Sequence, residues 1–161
     1  MKTNDVEMQT FVREGLERYY FDAKESVTAF ETSLKNQLTE LIQAMPACPT
    51  FPAKGRQLGK PGIWTDGETM SVYARLVAND EACLELGIEW GTFEHGRPVL
   101  YATWPDWKSS TLWVTQPKPP VQNHADEFLF VPVDDGFQLE KAARALLAEA
   151  VRALGKVKTV R

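Results

Sequence analysis

The sequence predicts an α+β fold: a helical N-terminal segment, an antiparallel meander of five to six strands, and a C-terminal helix packed on the sheet. Three observations carry this expectation. Residues 4–45 place apolar side chains at three- and four-residue steps, residues 63–133 break into short alternating runs between compact turns, and residues 137–154 return to a helical period.

In the first segment Val12, Leu16, Tyr19, Ala23, Val27, Phe30, Leu34, Leu38, Leu41 and Met45 form one apolar stripe, and Pro46 ends it. An unbroken helix of about 41 residues would run about 60 Å at 1.5 Å per residue. A domain of this size is roughly 40 Å across. Asp22-Ala23-Lys24-Glu25 has the form of a capping box, with Tyr20 and Phe21 placed to staple it, so the reading favours two helices, 5–20 and 23–45. The single long helix is the alternative, and its length points to a homodimer through that helix.

Residues 46–62 read as a Pro/Gly linker carrying Lys54, Arg56 and Lys60. Gly55-Arg56-Gln57-Leu58-Gly59-Lys60 is no phosphate loop: three residues separate its glycines, Pro61 stands where a magnesium-holding hydroxyl belongs, and a helix precedes it. Asp66-Gly67 signals a hairpin between Ile63–Thr65 and Thr69–Val77. Asn79-Asp80 turns the chain into Ala82–Trp90, the sharpest alternation in the sequence. Leu84, Leu86, Ile88 and Trp90 share one face there, with Cys83, Glu85, Gly87 and Glu89 on the other. Glu94-His95-Gly96-Arg97 turns toward Pro98–Thr103, Thr111–Thr115 is a fifth strand, and Glu127–Val133 a sixth beyond a Pro-rich loop, 116–123. Short connections favour neighbours pairing in order. The final helix has Asp135 as N-cap, Leu139, Ala143, Leu146, Leu147, Ala150 and Leu154 as its stripe, and Gly155 past its end, before a basic tail, 156–161. The 161 residues are read as one α+β domain. Many unrelated families share this layout, and no motif in the chain selects one.

Composition narrows the function by exclusion. A formal charge of −4 argues against a nucleic-acid surface, which normally carries a basic excess. Cys48 and Cys83 lack CxxC spacing and read as reduced thiols. The polar start of the chain has no apolar signal region, and the longest apolar run, 128–133, is far short of a membrane span, so the expected location is the cytoplasm. His95 and His124 have no second ligand at i+2 to i+4, so neither a metal site nor another cofactor is expected. Ser109-Ser110 lack a nucleophile elbow, and Cys83 stands in no nucleophile motif. Glu85 and Glu89 lie about 13 Å apart along one strand, too far for a glycosidase pair.

An aromatic set remains: five tryptophans, Trp64, Trp90, Trp104, Trp107 and Trp113, together with Tyr73. Alternation gathers Tyr73, Arg75, Glu85, Glu89 and Trp113 on the sheet face opposite the Leu84 row. Trp104-Pro105-Asp106-Trp107 forms a stiff aromatic loop beside it. Rigid rings with charges are the composition of interface anchors. The expected function is therefore a non-enzymatic binding protein that holds a protein partner through these residues. A small-ligand domain or enzyme, with a pocket between sheet and C-terminal helix and Arg75, Glu85, Glu89 and His95 as polar groups, is the alternative.

Overall fold

The computed structural model describes residues 2–78, 82–91, 97–103, 116–124 and 128–154. The expected strand Thr111–Thr115, the turns at Asn79-Asp80 and Glu94-His95-Gly96, the Gly155 cap and the basic tail lie outside these residues. The chain forms two compact units, residues 1–34 and 35–161.

The first unit is helical: α1 (Lys2–Glu14), a π-helical stretch (Gly15–Tyr20), then the start of α2 (Phe21–Gln43). The expected division into helices 5–20 and 23–45 is not what forms. Phe21 keeps helical angles, φ −68° and ψ −43°, so Asp22 lies in the first turn of α2 and not in an extended N-cap conformation. The irregularity is taken up by the wider π stretch, which re-phases the side chains that follow. Within this unit Val12, Val27 and Phe30 of the apolar stripe are 49%, 53% and 54% exposed and their neighbour Phe11 72%, whereas Leu34 is buried.

The second unit holds the end of α2, a sheet and α3 (Leu139–Leu154). Leu38, Ile42 and Met45 recur at helical spacing and are completely or almost completely buried. The helix stops at Gln43, ahead of Pro46; the Glu40 and Ile42 carbonyls accept locally from the Ala44 and Met45 N–H groups, and Arg56 reaches the carbonyls beyond them. The Arg56 guanidinium donates from Nη1 to the Met45 carbonyl at 2.7 Å and from Nη2 to that of Gln43 at 3.4 Å. Residues 46–62 are thus tied to the core, with Phe51 1% exposed and Cys48 donating its backbone N–H to the Phe51 carbonyl.

Seven antiparallel strands form among the described residues: β1 (Arg56–Leu58), β2 (Gly62–Asp66), β3 (Thr69–Ala78), β4 (Ala82–Trp90), β5 (Val99–Thr103), β6 (Gln122–His124) and β7 (Phe128–Pro132). Their order is β1-β3-β4-β5-β7-β6, with β2 also on β3. Two strands were not legible in advance, β1 inside the Pro/Gly stretch and β6 at the end of the Pro-rich loop. β1 and β2 share one edge of the ten-residue β3, against its end and its beginning respectively. Pro61, which has no N–H to donate, separates them. The meander holds from β2 to β5. Beyond it β7 lies next to β5 and β6 takes the outer edge, so sequence order is not kept there.

Helix α3 packs against β5 and β7. It buries Ala142, Ala143, Leu146, Leu147, Ala150, Ala153 and Leu154, close to the expected stripe. The rows Leu84, Leu86 and Ile88, Leu100 and Ala102, and Leu129 and Val131 pair across β4, β5 and β7 and form the sheet's half of this core. Each such leucine removed from water contributes about 1.5–3 kcal/mol. The helix begins later than its sequence suggests. Asp134 accepts from Phe137 in a turn where Gly136 has φ +88°, and the Gln138 carbonyl, not that of Asp135, accepts the first helical bond, from Ala142. No described helix is long and apolar enough to cross a membrane.

Candidate functional site

The other face of the sheet carries the chemistry. Its register sets three rows across the strands. Trp64, Ser71, Glu89, Val99 and Pro132 form the first; Gly62, Tyr73, Gly87, Tyr101 and Phe130 the second; Arg75, Glu85, Thr103 and Phe128 the third. Period-two alternation in these five strands sends these side chains to one side and the leucine rows to the other.

Two glycines shape this surface. A methyl group on Gly87 would stand 2.6 Å from the Tyr101 ring, and one on Gly62 would stand 2.5 Å from the Tyr73 hydroxyl. Each tyrosine therefore lies flat over a glycine of the neighbouring strand, the close approach that glycine inside a strand permits.

Lying over Gly87 lets Tyr101 reach a diagonal neighbour. Its hydroxyl donates to Glu85 Oε1 at 2.6 Å, while Arg75 Nε donates to Glu85 Oε2 at 2.9 Å. Ser71 hydrogen-bonds the Tyr101 hydroxyl in turn. Ser71, Tyr101 and Glu85 are buried, at 2%, 4% and 7% exposure. Burial, and after it the charge of Glu85, raises the Tyr101 phenol above the ordinary tyrosine range. The Arg75 guanidinium carbon also lies 4.6 Å from the Tyr73 ring centroid, a cation–π contact.

These side chains line a cavity of about 270 Å³ together with Trp64, Glu89, Thr103 and Phe128. Four of the residues singled out from sequence, Tyr73, Arg75, Glu85 and Glu89, thus meet in one concavity. Trp104, Trp107 and Trp113 lie outside the described residues. Sequence reasoning missed Ser71, Tyr101, Thr103 and Phe128. The available signal was Gly87, a glycine in the middle of a strongly alternating strand.

The arrangement corrects the pocket expected between sheet and C-terminal helix with Arg75, Glu85 and Glu89 as its polar groups. Those three side chains are on the face away from α3, because they alternate with the residues that pack beneath it. His95, the fourth, lies outside the described residues. A groove of about 550 Å³ does lie beside α3, lined by Val121, Val131, Phe137, Lys141, Ala142 and Ala145 with Pro119 and Pro120. Neither Cys48 nor Cys83 is in a disulfide.

No family model matches the chain, and no curated protein or solved structure matches it either.

Proposed function

We propose that the chain is a non-enzymatic, cytoplasmic binding protein that holds a protein partner on the aromatic–acidic face of its sheet. One observation carries the reading: both oxygens of Glu85, the most enclosed carboxylate of the cavity, are already engaged, one by Tyr101 and one by Arg75. A carboxylate with both oxygens held this way orders the surface around it. Around it stand rings that are rigid and partly open, with Trp64 48% exposed, the form of an interface anchor. The loop of Trp104 and Trp107, with Trp113, belongs to the same contact in this proposal.

Trp64→Ala and Tyr73→Ala, each checked for folding, test it by affinity capture from the native host. A protein retained by the wild type and lost by both variants supports the assignment. Equal retention by all three ends it.

Two further surfaces have their own observations. The groove beside α3, with Lys141 and Asp134 as its charges, favours a small-ligand reading, since it lies within the usual 300–1,000 Å³ range of ligand pockets. Bound mass on the natively purified protein, lost on denaturation, would move that reading first. The exposed apolar side chains Phe11, Val12, Val27 and Phe30 support homodimerisation through the N-terminal helix. A monomer mass unchanged across concentration removes it.

A further inference from the structure

We infer that the cavity on the open sheet face accepts a cationic head group, an ammonium or guanidinium, seated over Ser71 between the Trp64 ring and the Glu89 carboxylate. This deepens the reading of that face as the contact surface and rests on it.

The charge balance comes first. Of the three charged side chains lining the cavity, Glu85 and Arg75 neutralise each other at 2.9 Å, and among the described residues no ion pair neutralises Glu89. The cavity therefore carries one net negative charge. An anion entering it would meet Glu89, and its natural partner, Arg75, is already held by Glu85 and stacked on Tyr73.

Geometry places the cation. Trp64, Ser71 and Glu89 are direct partners across β2, β3 and β4, on one face. Two strand spacings separate Trp64 from Glu89, about 10 Å between their backbones. The residue between them is small and forms a floor, with Ser71 2% exposed. A tall ring, a low floor and a carboxylate in line make a niche whose two walls attract the same charge, one through the ring quadrupole and one directly.

The cavity already stabilises a cation on an aromatic face, since Arg75 lies 4.6 Å from the Tyr73 centroid. At about 270 Å³ it falls just under the range of pockets that enclose drug-sized ligands, which suits a side chain or small amine.

The test is an amide chemical-shift titration of the full chain at constant ionic strength, with n-butylammonium and n-butylguanidinium as probes and acetate as the anionic control. At least one cation is expected to move the amides of Trp64, Ser71 and Glu89 saturably, while acetate does not. Glu89→Gln is expected to weaken that binding by about tenfold, as is Trp64→Leu. N-acetyl-lysine methylamide and putrescine then separate the source. Stronger binding of the capped residue assigns a partner's side chain, and stronger binding of the diamine a free amine. The inference is overturned if neither cation saturates, if acetate moves the same amides as strongly, or if Glu89→Gln leaves cation affinity unchanged. Should it fall while Trp64→Ala still abolishes partner capture, the contact face stands and only its charge preference is wrong. Loss of both results would remove the face as well.

Discussion

Tyr101 and Glu85 meet diagonally, each facing a different residue across the β4–β5 ladder. Tyr101 pairs with Gly87 and Glu85 with Thr103, yet the tyrosine hydroxyl donates to Glu85 Oε1 at 2.6 Å. The ring covers this distance because Gly87 has no side chain to lift it off the sheet. A single glycine thus joins β5 to the acid on β4 and, through Arg75, to β3.

Tyr101→Phe keeps the ring and removes the donor. A hydrogen bond to a charged group contributes about 1.5–3 kcal/mol, so the variant is expected to lose that much stability in urea at neutral pH. A loss below about 0.5 kcal/mol would mean that Arg75 alone satisfies Glu85.

The same phenol makes stability depend on alkaline pH. Its folded pKa is raised above the ordinary value near 10, so folding favours the protonated form. That contribution is complete below pH 10 and drains away as the pH rises past 10, where the unfolded chain releases a proton that the folded chain retains. Tyr101 should add a downward slope approaching about 1.4 kcal/mol per pH unit above pH 10, absent from Tyr101→Phe. Parallel urea-stability curves for the two proteins between pH 9 and 11 would contradict this.

The two glycines should answer unequally to alanine. At Gly87 the added methyl meets a ring that is 4% exposed and bonded at its tip, so overpacking costs about 1–3 kcal/mol and pulls Tyr101 from Glu85. At Gly62 it meets the tip of Tyr73, a side chain only partly enclosed on an outer strand pair, which swings aside for under about 1 kcal/mol. Thermal denaturation of both variants checks the order.

Arg56 was read as part of a basic stretch and works as a remote cap. Arg56→Ala leaves the Met45 carbonyl without its donor at 2.7 Å, and about 1–2 kcal/mol of stability should go with it. Arg56→Lys should recover only part of the loss, because one ammonium replaces the two arms that reach Met45 and Gln43. Recovery can be read from urea midpoints.

Much of the fold was legible because its signals are local. Strand β4 was expected at Ala82–Trp90 and forms there, since alternation over nine residues has one solution when one face is buried. Helix α3 was expected over 137–154 and spans Leu139–Leu154. The gathering of Tyr73, Arg75, Glu85 and Glu89 follows from the same period of two. The break expected before Asp22 failed because a capping pattern acts only where the backbone leaves the helix, and Phe21 does not.

By itself, then, the sequence determined which residues share a face, where the long elements run and that helices flank an antiparallel sheet, because side-chain periodicity is written within a few residues of itself. Only the tertiary structure decided that β7 lies between β5 and β6, that Arg56 reaches back to the carbonyls of Gln43 and Met45 at the end of α2, and that Tyr101 crosses Gly87 to reach Glu85. Those relations join residues on different elements, and pairing across elements is set by which surfaces exclude water together, a property of the assembled chain.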